Sequence, residues 1–180
     1  GLLSTSASEG DANKQLLGVA NGVLDLETLE FREGRPEDRI RTVIPTEWHG
    51  IDAPAPRWGR FVREIMAEDD EGNGLELTSY LQRLLGYSLS GTVAEHILPI
   101  LCGEHGRNGK DTLLETLSDV LGPIAEATST SLLLTGRYDD PKAASPYTAE
   151  LQGKRLVWAS ETTEKNRLST ASVKYLTGGG

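Results

Sequence analysis

The residues best suited to chemistry lie in one stretch, Gly103-Glu104-His105-Gly106-Arg107-Asn108-Gly109-Lys110-Asp111-Thr112. Three glycines and a lysine follow the apolar run Ile97-Leu98-Pro99-Ile100-Leu101-Cys102 and precede Leu113, Leu114, Leu117, Val120 and Leu121 at helical spacing. Strand, glycine-rich loop with a terminal Gly-Lys, then helix is the context of a phosphate-binding loop. Glycines let backbone N–H groups turn inward as an anion nest, and the helix N-terminus adds partial positive charge. Backbone groups of Gly106, Arg107, Asn108, Gly109 and Lys110 would cradle phosphates, with the Lys110 ammonium reaching the β- and γ-phosphates of a nucleoside triphosphate. The spacing departs from the usual pattern, because Glu104 stands where a first glycine belongs. Asp111 replaces the usual Ser/Thr after the lysine, with Thr112 next. Either can meet a Mg²⁺ ion, since hard cations take oxygen ligands. The plainer alternative is a glycine-rich turn that opens a helix, with Asp111 as a first-turn acid favoured by the helix dipole.

A triphosphate site also needs an acid at the end of a neighbouring strand, to hold Mg²⁺ and orient the attacking water. The segment Lys154-Arg155-Leu156-Val157-Trp158-Ala159-Ser160-Glu161 fits, with a buried strand expected and Glu161 at its C-terminal end. Open α/β sheets place ligands at strand C-termini. Glu164 is a second acid but reads as a helix cap.

Several elements must position these groups. Leu16 to Ile44 alternates loosely around Asn21-Gly22, with a turn at Arg32-Glu33-Gly34-Arg35-Pro36, and predicts a small β-hairpin or meander. The Pro-rich stretch 52–57 leads into helical sequence. Trp58, Phe61, Val62, Ile65 and Met66 form one apolar helix face; Leu77, Tyr80, Leu81, Leu84 and Leu85 suggest a second helix stopped by Gly86. Both stripes read as core packing. Gly122-Pro123 ends the helix after the loop, and the polar run Ala125 to Ser131 reads as irregular surface. The resulting division is a loose terminus at 1–15, a β-rich segment at 16–50, a helical region at 54–91 and an α/β nucleotide-binding part from 92 to 180. The chain starts without methionine and stops at Gly178-Gly179-Gly180, so we expect a piece of a larger protein.

Composition narrows the function classes. A chain of 180 residues, 37% hydrophobic and 25% charged, has the make-up of a globular domain. No apolar run has the length of a membrane span, and no secretory signal pattern opens the chain. The single cysteine, Cys102, excludes an internal disulfide and suits a reducing cytoplasm. His49, His96 and His105 lack metal-ligand spacing. A net charge of −9 argues against a surface that coats nucleic acid, though not against a local basic channel. The run Glu68-Asp69-Asp70-Glu71 reads as a solvated helix end.

The order of segments resembles the phage- and plasmid-encoded primase-helicase group of superfamily three helicases, which includes poxvirus-type primase-helicase NTPases. The resemblance rests on Asn21-Gly22-Val23-Leu24-Asp25-Leu26, on Trp58 to Met66 and on Tyr80 to Gly91. It continues through Asn108-Gly109-Lys110, Gly153 to Glu161 and Val173-Lys174-Tyr175-Leu176-Thr177-Gly178-Gly179. It implies an incomplete α/β P-loop NTPase core of AAA+-like helicase type, preceded by a small mixed β and helical region. It implies ATP and Mg²⁺ as cofactors, DNA as substrate, a hexamer in the full-length protein and a bacterial cytoplasm. Carried over by position, Gly106 and Asn108 to Thr112 match the phosphate loop and Glu161 the second acidic motif. Lys174 begins the segment that leads to a DNA-contacting hairpin. The sensor asparagine and arginine finger of that group would lie beyond residue 180, so the piece itself is expected to be inactive. Two rivals remain: a non-catalytic nucleotide-binding scaffold or primase-associated subunit, favoured by the missing hydroxyl after Lys110, and a small-molecule kinase with Arg137 as its lone basic lid candidate.

Overall fold

The computed structural model describes residues 11–66, 74–103, 106–134, 151–160 and 167–178. The chain forms a three-stranded antiparallel sheet, β1 (Leu16–Val19), β2 (Gly22–Asp25) and β3 (Phe31–Arg32), in sequence order. Helices α1 (Pro56–Ile65), α2 (Gly74–Leu89) and α3 (Lys110–Leu121) follow. A parallel pair, β4 (Ala125–Thr128) and β5 (Leu156–Ala159), and helix α4 (Thr170–Leu176) complete the described elements.

The meander forms where alternation and turn residues place it. Leu17 faces Leu24 and Val19 faces Gly22 across a two-residue turn. Asn21 staples that turn to the outgoing chain: its amide donates to the Trp48 carbonyl at 2.9 Å and accepts from the Trp48 N–H at 2.8 Å. Gly22 is required by space, since a Cβ there would stand 2.5 Å from the Arg32 carbonyl oxygen and 2.8 Å from the Phe31 ring. The Asn21-Gly22 pair is therefore architectural. A looser start was expected up to residue 15, but Asp11 is anchored. Its carboxylate accepts from the N–H groups of Arg41 (2.8 Å) and Thr42 (3.2 Å) and from the Thr42 hydroxyl (2.7 Å). Residues 1–10 lie outside the described residues.

Two cores meet on α3. Leu17, Val19, Leu24 and Ile44 of the meander pack with Leu121, Ile124 and Ala125. Val62 of α1 and Leu81 of α2 pack with Leu113 and Leu117. The i, i+4, i+8 row Leu113–Leu117–Leu121 thus serves the helices at one end and the sheet at the other. Leu156 of β5 packs against both clusters. The C-terminus of α3 is clamped by the meander: the Thr46 hydroxyl donates to the Val120 carbonyl at 2.6 Å, and Pro45 lies where a Gly122 side chain would be.

Three expectations need correction. First, α2 does not stop at Gly86; it runs to Leu89. A glycine inside a helix costs about 1 kcal/mol, which surrounding packing can offset. The turn that ends it is at Gly91, whose φ is +61°. Second, residues 125–128 form a strand, not irregular surface. Ala-Glu-Ala-Thr has little β propensity, and its ladder is supplied by β5 in the register Ala125↔Leu156 to Thr128↔Ala159. Third, Ile97–Cys102 is not a buried strand. It has no regular structure, Ile100 is 69% exposed and Cys102 is exposed. An apolar run becomes a strand only beside a partner that takes its N–H and C=O groups, and among the described residues none lies there. The fold class is accordingly mixed α/β with small sheets. β5 itself forms where expected, half-buried rather than buried.

Arg155 ties the parts together. Its guanidinium donates to the carbonyls of Leu89, at the end of α2, and of Leu16, in β1 (the latter at 2.8 Å). Its own N–H donates to Ile124 at 2.8 Å. Burial pushes the guanidinium below its usual range, partly offset by the charge of Asp11. Arg155→Ala removes both donors and leaves two carbonyls unmet, so we expect a loss of about 3 kcal/mol in urea unfolding. Arg155→Lys should recover little of it, because one ammonium lacks the fork that spans two acceptors.

Acid should loosen the meander first. Asp38 accepts two hydrogen bonds from Arg32, at 2.6 and 2.8 Å, and one from the Arg35 N–H at 2.8 Å. These hold its carboxyl at about 2, below the ordinary 3.8. A group depressed on folding stabilises above its unfolded value and loses that stability as pH falls toward its folded value. Stability should therefore decline as pH drops from about 4 to about 2. Asp38→Asn should be less stable at neutral pH and show a shallower acid limb in circular dichroism.

Candidate functional site

The loop is built by a change of backbone hand. Arg107 has φ 65° and Gly109 has φ 84°, flanking Asn108 in the left-handed region before α3 begins at Lys110. A non-glycine residue there costs about 1–2 kcal/mol, so Arg107 marks a strained turn. Gly109 is the N-cap of α3 and supplies no side chain, so the first-turn N–H groups receive no side-chain cap. This leaves an uncapped helix start of twelve residues with a lysine at its first position. Uncapped N–H donors and the helix dipole together favour an anion.

Helix α1 sets the position of the loop. A Cβ on Gly109 would lie 2.5 Å from Ile65 Cγ2 and 3.4 Å from the Phe61 ring. The Trp58–Met66 stripe is thus core packing, as its spacing indicates, and it also seats the loop. The far end of the loop folds over its beginning. Lys110 Nζ donates to Asn108 Oδ1 at 2.9 Å, and the Asn108 amide covers Gly103 so closely that a Cβ there would collide with Nδ2.

The remaining site residues are distributed as follows. Gly106 is exposed; Asp111 and Thr112 are exposed on the first turn of α3, beside Lys110 in sequence. Glu161 lies outside the described residues, as do Glu104, His105, Arg137 and Glu164. The three-residue turn Gly122–Ile124 joins α3 to β4, and β5 runs parallel to β4. Among the described residues no three His, Cys, Asp or Glu side chains stand close enough to hold a metal ion.

Lys174 is exposed on α4, a helix capped by the Ser169 hydroxyl, which accepts from the Ser172 N–H at 3.2 Å. Gly178, at φ 83°, packs on Val93, so the end of α4 abuts the segment that leads into the loop. Among the described residues no helix is long and apolar enough to cross a membrane. What sequence reasoning missed is the partnership of Asn108 with Gly103 and Lys110. The only sign of it in sequence was an amide side chain two residues before the lysine.

Residues 2–67 match the family described as D5 N terminal like. The chain is 31% identical over 172 residues to a protein of Acanthamoeba polyphaga mimivirus named "Putative helicase L207/L206". It is 29% identical over 176 residues to "Putative helicase 184R" of Invertebrate iridescent virus 6. Each alignment takes in 94% of this chain, which spans only 17% of the length of either relative. The chain is thus similar to a primase-helicase-like group, and both relatives come from viruses named for eukaryotic hosts.

Gly109→Ala should test the seating of the loop. The left-handed φ and the contact with Ile65 together predict a destabilisation of about 2 kcal/mol or more in urea unfolding. Adding Ile65→Ala should relieve the steric part and leave the backbone part, so the double variant falls short of the sum of the two single changes.

Proposed function

We propose that this chain carries the triphosphate-binding loop of an ATP-driven DNA helicase of the replicative primase-helicase type. The observation that supports it most is the pairing of Lys110 with the uncapped start of α3, behind the left-handed Gly109. The similarity to two proteins named as helicases is the second support. In this reading the backbone N–H groups from Gly106 to Lys110 hold the phosphates, and Lys110 neutralises charge that develops on the γ-phosphate. Asp111 or Thr112, with Glu161, would hold Mg²⁺, and Glu161 would polarise the attacking water. When bound, Mg²⁺ would supply positive charge that offsets the negative charge of Asp111 beside the phosphates. The exposed Lys174 is the DNA-contact candidate. The full-length protein would act as a hexamer, with an arginine finger from a neighbour worth about a thousandfold or more in rate. The replicon is viral or plasmid-borne; the two relatives favour a eukaryotic virus over a phage, and with it a host other than a bacterium.

A second reading, a nucleotide-binding scaffold without turnover, draws on Asp111 in the position of the metal-binding hydroxyl. Steady-state ATPase of the full-length protein, with and without single-stranded DNA, separates the two. The helicase reading expects turnover stimulated by DNA, while the scaffold reading expects tight binding without turnover. Lys110→Ala should abolish nucleotide binding. Glu161→Gln should keep binding and lose hydrolysis; turnover at the wild-type rate in that variant would remove Glu161 from the mechanism.

A further inference from the structure

We propose that Asn108 is a positioning residue that latches Lys110 across the mouth of its own loop, so that an incoming phosphate must displace it. The proposal rests on the phosphate-binding reading of this loop and adds how that site is held before its ligand arrives.

Three observations on different residues carry it. Lys110 Nζ donates to Asn108 Oδ1 at 2.9 Å in a part-buried hydrogen bond. Asn108 stands between two left-handed residues, Arg107 and Gly109, in the tight turn that brings its side chain and Lys110 to the same side. Its amide nitrogen lies on Gly103, at the opposite end of the loop, in space that any Cβ would fill. The same phantom Cβ would lie 3.7 Å from Lys110 Nζ, so Gly103, Asn108 and Lys110 converge at one point. Glycine at 103 leaves room for the amide nitrogen beside the backbone, and the amide oxygen accepts from the ammonium.

An ammonium held by a neutral amide oxygen is restrained without being neutralised. A phosphate oxygen is the stronger acceptor and takes over the bond, so the latch orients the lysine while lowering net affinity by the worth of one amide hydrogen bond. Asparagine fits this role because aspartate would form an ion pair that phosphate must break, and would repel the phosphate as well.

The latch is measurable without nucleotide. In the full-length protein treated with limiting acetic anhydride, Lys110 acetylation is read by mass spectrometry against Lys174, which is exposed on the same chain. Asn108→Ala should raise the Lys110 rate at least threefold relative to Lys174, and Gly103→Ala should do likewise by displacing the amide. Asn108→Asp should lower the rate below wild type. Titration with an ATP analogue should show Asn108→Ala binding no more weakly than wild type, and Asn108→Asp binding at least tenfold more weakly. Unchanged Lys110 reactivity in both alanine variants, with native circular dichroism, overturns the latch. Weaker analogue binding by Asn108→Ala overturns the competition. The expected reactivity pattern with no nucleotide binding by any variant, wild type included, overturns the reading on which the competition rests and leaves the Asn108–Lys110 bond itself intact.

Discussion

The half-buried guanidinium of Arg155 is the interaction on which the described architecture turns. A cation in that position loses hydration and is retained only where acceptors replace the water. Here the acceptors are carbonyls of two separate elements, Leu16 in β1 and Leu89 at the end of α2. The Leu89 carbonyl belongs to the negative end of the helix dipole, which favours a cation there. Lys14 adds a second cation at the same end, donating to Gly91 at 2.9 Å. Asp11, pinned by the Arg41 and Thr42 backbone, supplies the opposing charge. The start of β5 is thereby fixed against both the meander and the helices.

From that point the position of the candidate site follows by packing. Leu156, next to Arg155, fills the seam between the two cores, and both cores use the buried row of α3. With Pro45 and Thr46 holding the C-terminus of α3 and Phe61 and Ile65 seated against Gly109, the helix is fixed at both ends. Its N-terminus, where an anion would sit, is the end left without a side-chain cap. The helical region thus seats the loop directly, through Phe61 and Ile65, and the β-rich segment holds the far end of the helix that follows it.

Much of this was legible in sequence, and the failures have physical causes. The Trp58–Met66 stripe, the leucines of α2 and α3, and the Leu156–Ala159 run have periods set by local geometry, and each formed its element. The end of α2 was not legible, because its capping cations come from Lys14 and Arg155, distant in sequence. β4 was not, because a weak strand former is held by a parallel partner some thirty residues away (roughly the span of a crossover connection). Ile97–Cys102 misled in the opposite sense: its composition suits a buried strand, yet a strand needs neighbours. Within the site, the glycines and Lys110 could be read from their types and order. The Asn108–Gly103 contact could not, since it depends on how the two ends of the loop meet.

The central claim is that the turn from Gly106 into α3 binds phosphate through its backbone. Backbone amide shifts in ¹H–¹⁵N spectra of the full-length protein test it directly, through titration with Mg²⁺–ATP, inorganic triphosphate and adenosine. The account predicts that the amides of Gly109, Lys110 and Asp111 move most with ATP, move comparably with triphosphate and stay in place with adenosine. Shifts confined to other regions, or equal responses to adenosine and triphosphate, would contradict it.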